Sequence, residues 1–556
     1  MKSKALKTVR IPGFGAGLQK RDPYHMPLGA LDLVKDMRVV GQALETLPHM
    51  WKADDGVTGG VLAIIPYRDP KGNDHIIVAS PTRLKHLYLP ANYTAGSYLT
   101  QYTVITVDSQ ISWDQSSDWL FVTTGSGKPL KWRGRSTTFA EIEGLDNVEG
   151  GTDALPWAVS SARLIKWFQG CCILLDTTEN GVRYTSRVRN SNLYPDTLYP
   201  DKFVWKRAFA SEAATYVDID DTPGRIVAAE PLSNNLIIYK EDSVHRFFFK
   251  GEMLSDGTAV AFAHEPIEDE GFNDNAIGMH SVLPRKNDHI LVGNHSIYLF
   301  DGSRFNDIGL NIKDDFFDDF DWDRKDDVHI IQRPDTGEIW ILKPVATAST
   351  GDEAYILSAD GAWSTVTLPE DASCMAFFMQ EAYIPIEKLD TVFSGTCAPE
   401  IDNLDSAASG CPNYATIDEV GQLGVQKRFL IGGRAVPATG YVYYAEPTFA
   451  TFAAGMIKRE PEFKTIISDL GRPNVMKRIE RIRGKYTKDA SDLAPRFTVS
   501  GYDVDGNSTG SQGPTFFGKS IDVVGEHFEF DITMYNSNGL GRFYWLEVDY
   551  IEEGEF

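Results

Sequence analysis

Helical periodicity, long apolar runs and catalytic signatures are all scarce in this 556-residue chain. No stretch of about 20 consecutive apolar residues occurs, which excludes a membrane-spanning helix. The N-terminus lacks the apolar core of a secretory signal, so the protein is expected to stay where it is made. Cysteine is sparse: Cys171, Cys172, Cys374, Cys397 and Cys411 are an odd number, widely scattered, with no CxxC pair. No histidine neighbours them at metal-ligand spacing, so neither a disulfide framework nor a zinc site is expected. Cys397 and Cys411 bracket a loop they could close, with free thiols the alternative in a reducing cytoplasm. Cations are outnumbered, 54 Lys and Arg against 78 Asp and Glu, a net charge of −24. That balance argues against tight binding to a phosphate backbone. It suits either solubility or an acidic wall that a polyanion slides past. No GxSxG nucleophile elbow and no HExxH metal motif appear among the eleven histidines,.

What is present is a succession of short apolar runs between turn residues, the pattern of many short strands. GCCILLDTTENGVRYTSR from Gly170, NNLIIYKEDSVHRFFFKG from Asn234 and HILVGNHSIYLFDG from His289 each read as strand, tight turn, strand,. Looser versions begin at Asp74, Asp118, Gly337 and Lys427. Their spacing of roughly 45 to 65 residues is near that of a four-stranded propeller blade. The expected fold is all-β: a β-propeller of six or seven blades over 51–455, with an N-terminal arm and first strand in 1–50. A C-terminal β-sandwich or closing blade is expected in 456–556. The gap between Val366 and Lys427 holds either a blade or a long insertion.

The ends differ from the middle. The first 21 residues carry Lys2, Lys4, Lys7, Arg10, Lys20 and Arg21, no acid, and the run IPGFGAG from Ile11 to Gly17. They read as an extended, flexible basic arm that needs a partner to order it. Near the C-terminus, RFYWLEVDY predicts a strand with Tyr544, Leu546, Val548 and Tyr550 on one face. KRIERIRGKY, Lys477 to Tyr486, reads as a solvated edge strand, with an acidic neighbour or DNA as the alternative contact.

Several motifs invite a chemical reading. TTGSGKP, Thr123 to Pro129, lacks the first P-loop glycine and has Pro129 where Ser or Thr would meet magnesium, so a hairpin turn is expected. DDFFDDFDWDRKDD from Asp314 spaces Asp319, Asp321 and Asp323 like the start of a calcium loop. However, Arg324 replaces the required glycine and Ile330 the closing glutamate. The expected alternative is a short helix that buries Ile312, Phe316, Phe317 and Phe320 with its aspartates solvated. DVDGN, Asp503 to Asn507, is expected to be a type I′ turn. SADGAW is one residue short of a sialidase Asp-box, so Asp360 and Gly361 read as a turn before a packed Trp363. His289 and His295, at opposite ends of one hairpin, read as structural. Trp113, Trp132 and Trp205 are the candidates for an exposed glycan-binding platform, against the commoner buried blade tryptophan. No catalytic, cofactor-binding or metal residue is assigned, and no cofactor or enzymatic activity is expected.

The order of these segments carries a resemblance. IYLFDGSRFNDIGLNIKDDF from Ile297, followed by EIWILKP and AYILSADGAWSTV, resembles the propeller-bearing tail nozzle proteins of short-tailed bacteriophages. These are also described as packaged-DNA stabilisation or head-completion proteins. The similarity runs in order from Gly170 to Val366, and more loosely through IPGFGAG and the strands after Lys477. It implies a virion protein made in the host cytoplasm, a homo-hexameric ring below the portal and adaptor that extends and closes the DNA exit channel. Its implied partners are the adaptor ring, tail fibres or spikes, and genomic DNA passing without sequence-specific binding. The rivals are a peripheral propeller that binds fibres or host-surface glycan, and a glycan-cleaving enzyme, which would need paired carboxylates across a pocket.

Overall fold

The strand Cys171–Glu179 shows how the apolar runs are used. Side chains alternate across a strand. Cys171, Ile173 and Leu175 enter one core with Leu236, Ile238 and Phe247, while Cys172 and Leu174 enter another with Phe121, Phe203 and Trp205. The two cysteines are buried, free and on opposite faces of one sheet. A sheet covered on both faces has no reason to alternate apolar with polar, which is why the run reads CCILL. Each Leu or Ile so buried contributes about 1.5–3 kcal/mol.

The structure is a computed structural model that describes residues 5–11, 13–20, 29–54, 56–89, 97–134, 136, 138–145, 158–195, 203–205, 213–253, 255, 259–267, 274–346, 351–369, 371–381, 425–434, 439–445, 456–457, 459, 461–470, 472, 475–487, 494–534 and 541–555. Among them, five four-stranded sheets, four strands of a nine-stranded sheet and one five-stranded sheet make seven blades. Their inner strands are Ala63–Arg68, Val107–Gln115, Val159–Phe168, Ile226–Leu232, Val282–Pro284, His329–Gln332 and Ala372–Glu381. Each inner strand lies beside the next, and the seventh returns to the first. The described residues thus include a seven-bladed β-propeller. Cys397 and Cys411, with the rest of 382–424, lie outside the described residues.

Ring closure uses the N-terminal part of the chain. Blade seven runs Ala372–Glu381, Val425–Gly433, Val442–Tyr444, and its next strand is Met50–Lys52, with Tyr444 opposite Trp51 and Tyr443 opposite Lys52. Trp51, Ala53, Val57 and Val61 then fill the joint between blades seven and one together with Ile64, Val78, Leu430 and Val442.

A β-sandwich is built from both ends of the chain. One sheet orders Met37–Val40, Ala43–Thr46, Arg542–Glu555, Val475–Thr487 and Ser520–Gly525, with Lys7–Ile11 also paired to Arg542–Glu555. The other continues blade six outward through a parallel pairing of Lys35 with Thr365, then Glu462–Thr465, His527–Thr533, Arg496–Tyr502 and Ser508–Phe516. Residues 7–11 of the extended basic segment thus find their partner within the same chain. The glycines of IPGFGAG permit this close course. At Gly17 (φ 62°) a Cβ would lie 2.6 Å from the Trp363 carbonyl oxygen, where Leu18 N–H donates to that oxygen at 2.8 Å. Phe14, fully buried, sits 5.3 Å from Phe463 and 5.8 Å from Phe543 between ring centroids.

Two C-terminal expectations are corrected. KRIERIRGKY is no edge strand: Val475–Thr487 is paired on both sides. Its cations face acids of the same chain, Arg478 to Glu553 at 2.8 Å and Arg483 to Asp549 at 2.8 Å, each pair worth about 0–1 kcal/mol at this exposure. On Arg542–Glu555, Leu546, Val548 and Tyr550 do share the core face, but Phe543 replaces Tyr544 there. An irregularity in pairing, Lys485 opposite Trp545 and Tyr486 opposite Phe543, shifts the register and flips the alternation,. No helix among the described residues is long and apolar enough to cross a membrane.

Phe14→Ala is expected to cost about 3–5 kcal/mol in chemical denaturation, as a buried aromatic truncation does. It should also open cleavage in limited proteolysis before residue 31; an unchanged midpoint would show that the N-terminal segment is not part of the core.

Candidate functional site

Polar side chains collect where the inner strands converge. The 3₁₀ segment Trp322–Asp327, which leads into blade six, sends its last residues across the axis. Asp327, 1% exposed, accepts from Gln110 of blade two at 3.2 Å, from Arg434 of blade seven at 2.9 Å and from Arg324 at 3.1 Å. Asp326 pairs with Arg163 of blade three at 3.4 Å, and His280, just before blade five, bonds the Ile111 carbonyl of blade two through Nε2 at 2.9 Å. Blades that face each other across the ring are therefore bonded through its centre.

Arg324 is the hub of this plug. Its guanidinium donates twice to Asp352, at 2.9 and 2.6 Å, and once to the Ala372 carbonyl at 3.0 Å. Asp352 in turn accepts the backbone N–H groups of Val345 and Ala372. Burial pushes the Asp327 carboxyl up to about 6 against the pull of Arg434 and Arg324, so it is ionised at neutral pH,. Burial likewise lowers His280 to about 4, and lowers His329, whose ring lies 5.2 Å away. One further buried charge set joins blades three and four. Burial opposes charge on Lys166, but Glu230, 2.6 Å from its Nζ, and Asp114 more than offset this and keep it protonated.

The acidic run is thus divided between two structural tasks. Its first half is the short helix Lys313–Asp318, with Ile312, Phe316 and Phe320 buried and Phe317 partly so. Its aspartates are not all solvated as expected: Asp315 accepts from the Tyr355 hydroxyl at 2.6 Å and Asp319 pairs with Lys343. Asp321 accepts the Asp323 N–H, and Arg324 turns inward.

The other sequence candidates are dispersed. Trp132 and Trp205 are buried, and Trp113 packs partly buried between blades one and two, so none forms a platform. TTGSGKP joins two paired strands of blade two. Asp503 accepts from the backbone of Asp505 and Asn507 and from the Asn507 amide. The positive φ falls on Gly506 rather than on both central residues, a bulged turn in place of type I′,. Asp360 and Gly361 form the turn before a buried Trp363. His289 is satisfied by the Tyr239 hydroxyl (2.8 Å) and the Pro231 carbonyl (3.0 Å), and His295 is exposed.

One grouping escaped sequence reasoning. Asp221, His245 and His264 converge on blade four although 43 residues separate the outermost pair. The available signal was the hairpin that follows HRFFFKG, whose second strand carries His264.

No protein family and no curated protein matches the sequence. Among solved structures, the computationally designed Ika8 protein is similar at 8% identity over 78% of this chain and 99% of its own, with a TM-score of 0.35. The RRP9 WD40 repeats match at 9% identity over 60% of this chain and 88% of their own (TM-score 0.33). U3-55K matches at 9% over 59% and 87% (TM-score 0.32). Similarity this low carries no functional argument, and the propeller assignment stands on the strand pairings above.

Arg324→Met is expected to destabilise the chain by about 3–5 kcal/mol, because it leaves the Asp352 and Asp327 carboxylates buried without their shared cation. A change under about 1 kcal/mol in urea denaturation would contradict that reading. Acid is expected to weaken the blade joints. His289 is fully buried and burial lowers it to about 4, so the unfolded chain binds a proton below 6.5 that the folded chain refuses. Stability from this ring is complete above 6.5 and falls by about 3 kcal/mol as pH drops to 4. Asp327, shifted the other way, loses stability as pH rises through 6, so the comparison is between variants. His289→Gln should flatten the urea midpoint between pH 6.5 and 4 relative to the parent chain.

Proposed function

We propose that the chain is a structural virion protein, the tail nozzle of a short-tailed bacteriophage. Six copies form a ring below the portal and adaptor that extends the DNA exit channel, closes it after packaging and is traversed by the genome at ejection. The observation that carries this reading is the ordered series of segments from Gly170 to Val366 that resembles those proteins. The physical chemistry agrees with it. A ring of blades with few free edges is a rigid block, and a net charge of −24 disfavours adhesion of a passing phosphate backbone,.

The bridged axis adds a constraint to the proposal. Gln110 to Asp327 and His280 to Ile111 cross the axis, so among the described residues no bore for a duplex runs through the propeller itself. The genome path therefore runs between copies, on the symmetry axis of a ring closed by heterologous contacts. The adaptor ring and the fibres or spikes would contact other faces of the same ring.

Cryo-electron microscopy of the purified chain and of the virion tests this directly. The expected result is a sixfold ring on the tail axis, with density for DNA between copies and none through any propeller. A monomer or trimer displayed on the tail periphery would overturn the nozzle reading in favour of a fibre- or glycan-binding propeller. Release of sugar from host glycans by the pure protein would point instead to an enzyme.

A further inference from the structure

In blade four, the strands Val244–Met253 and Ala259–Pro266 pair antiparallel with His245 opposite Pro266 and Phe247 opposite His264. The two histidines are therefore diagonal neighbours on one face, with ring centroids 5.7 Å apart,. Facing them is Asp221, in the turn that links blade three to blade four. Its Oδ1 lies 4.0 Å from His245 Nδ1 and its Oδ2 lies 3.8 Å from His264 Nδ1. Those gaps are too long for hydrogen bonds. Both Nδ1 atoms are buried and have no hydrogen-bond partner, and the three donor atoms all lie within 4.8 Å of one another.

The surroundings prepare these atoms to be ligands. His245 is fully buried, and its Nε2 meets the Thr222 hydroxyl at 2.8 Å and the Ser243 hydroxyl at 3.1 Å. With the ring proton donated there, the Nδ1 lone pair points at Asp221, the arrangement that second-shell hydroxyls give a metal-binding histidine. Lys240 holds the turn by donating to the Ile219 carbonyl at 2.7 Å.

We propose that Asp221, His245 and His264 bind a divalent transition-metal ion of the zinc class. An ion with bonds of about 2.0–2.2 Å to nitrogen and carboxylate oxygen sets tetrahedral ligand atoms about 3.4 Å apart, so the 3.8 and 4.0 Å gaps close onto it with small side-chain movements. Two imidazole nitrogens select a borderline transition metal over calcium or magnesium, which take oxygen ligands. The carboxylate, 41% exposed, closes onto the ion by a small side-chain movement and leaves the fourth position to water. Bound there, the ion staples the turn between blades three and four to the outer strands of blade four. This inference stands apart from the nozzle reading, since it rests on one blade alone.

The test uses the full chain stripped with a chelator and titrated with Zn²⁺ by calorimetry and with Co²⁺ by visible absorption. One ion per chain is expected, with the intense Co²⁺ spectrum of a four-coordinate site and a raised melting temperature. Asp221→Asn and His264→Ala should each weaken binding by more than about 100-fold, and Ser243→Ala, which removes a positioning hydroxyl, by about 10-fold. Circular dichroism of the metal-free variants checks that each still folds. Unchanged affinity in the two ligand variants would overturn the site. Should either variant fail to fold, the wild-type Co²⁺ spectrum decides, and a weak six-coordinate spectrum or no binding at all rejects the proposal.

Discussion

A blade that is apolar on both faces leaves two surfaces uncovered until the first and last blades of the ring meet. Here the meeting is clasped by Met50–Lys52, hydrogen-bonded beside Val442–Tyr444, and by Val57–Thr58 beside Thr439–Gly440. Without these pairings the joint that holds Trp51, Val61, Val78 and Leu430 would open to water, and the outer strand of blade seven would offer a free edge to other chains. Because the clasp comes from near the start of the sequence, everything before it must be accommodated elsewhere. Of the described residues before it, Lys7–Ile11 and Ala43–Thr46 pair with Arg542–Glu555, and Leu31–Lys35 pairs with Glu462–Thr465. The sandwich is thus a consequence of how the ring is closed, and it fastens the two ends of the chain to each other.

The same logic governs the charges. Several of the buried ion pairs lie where blades converge, Arg324 with Asp352 and Asp327 and Lys166 with Glu230 among them. Apolar groups of similar size would supply equal or greater stability at such positions. What the ionic contacts add is direction. A guanidinium that must meet two carboxylates and a carbonyl at once fixes the rotation of blade six against blade seven, which a greasy contact between sheet faces does not.

Much of this architecture is legible in residue order, and the parts that are not share a cause. Runs such as CCILL and NLIIY declare strands buried on both faces, and their recurrence declares blades. The number of blades was open because the seventh combines strands from residues 50–52 and 372–444, a pairing no local window contains. KRIERIRGKY read as an edge because its charges suit solvent, yet its partner EVDYIEEGE carries charge of the opposite sign, so both can be central. Tyr544 was misassigned because one bulge reverses the alternation. Arg324, read as the residue that spoils a calcium loop, spoils it in order to build the axial plug. Asp221, His245 and His264 were invisible for the reason the clasp was: their adjacency is made by a sheet and an inter-blade turn.

A bridged axis shifts where such a molecule can do its work. Propellers with an open bore can use it for a ligand or a path, but here Asp326, Asp327 and His280 occupy the centre with bonds that are already satisfied across it. The proposed genome path accordingly lies between copies and not through this centre. The Asp221 cluster lies on an outer position, at the turn between two blades. The proposed ion would tie this turn to the outer strands of blade four. The axial ion pairs resist twisting near the centre, and a peripheral staple resists splaying at the rim, where leverage on a blade is greatest.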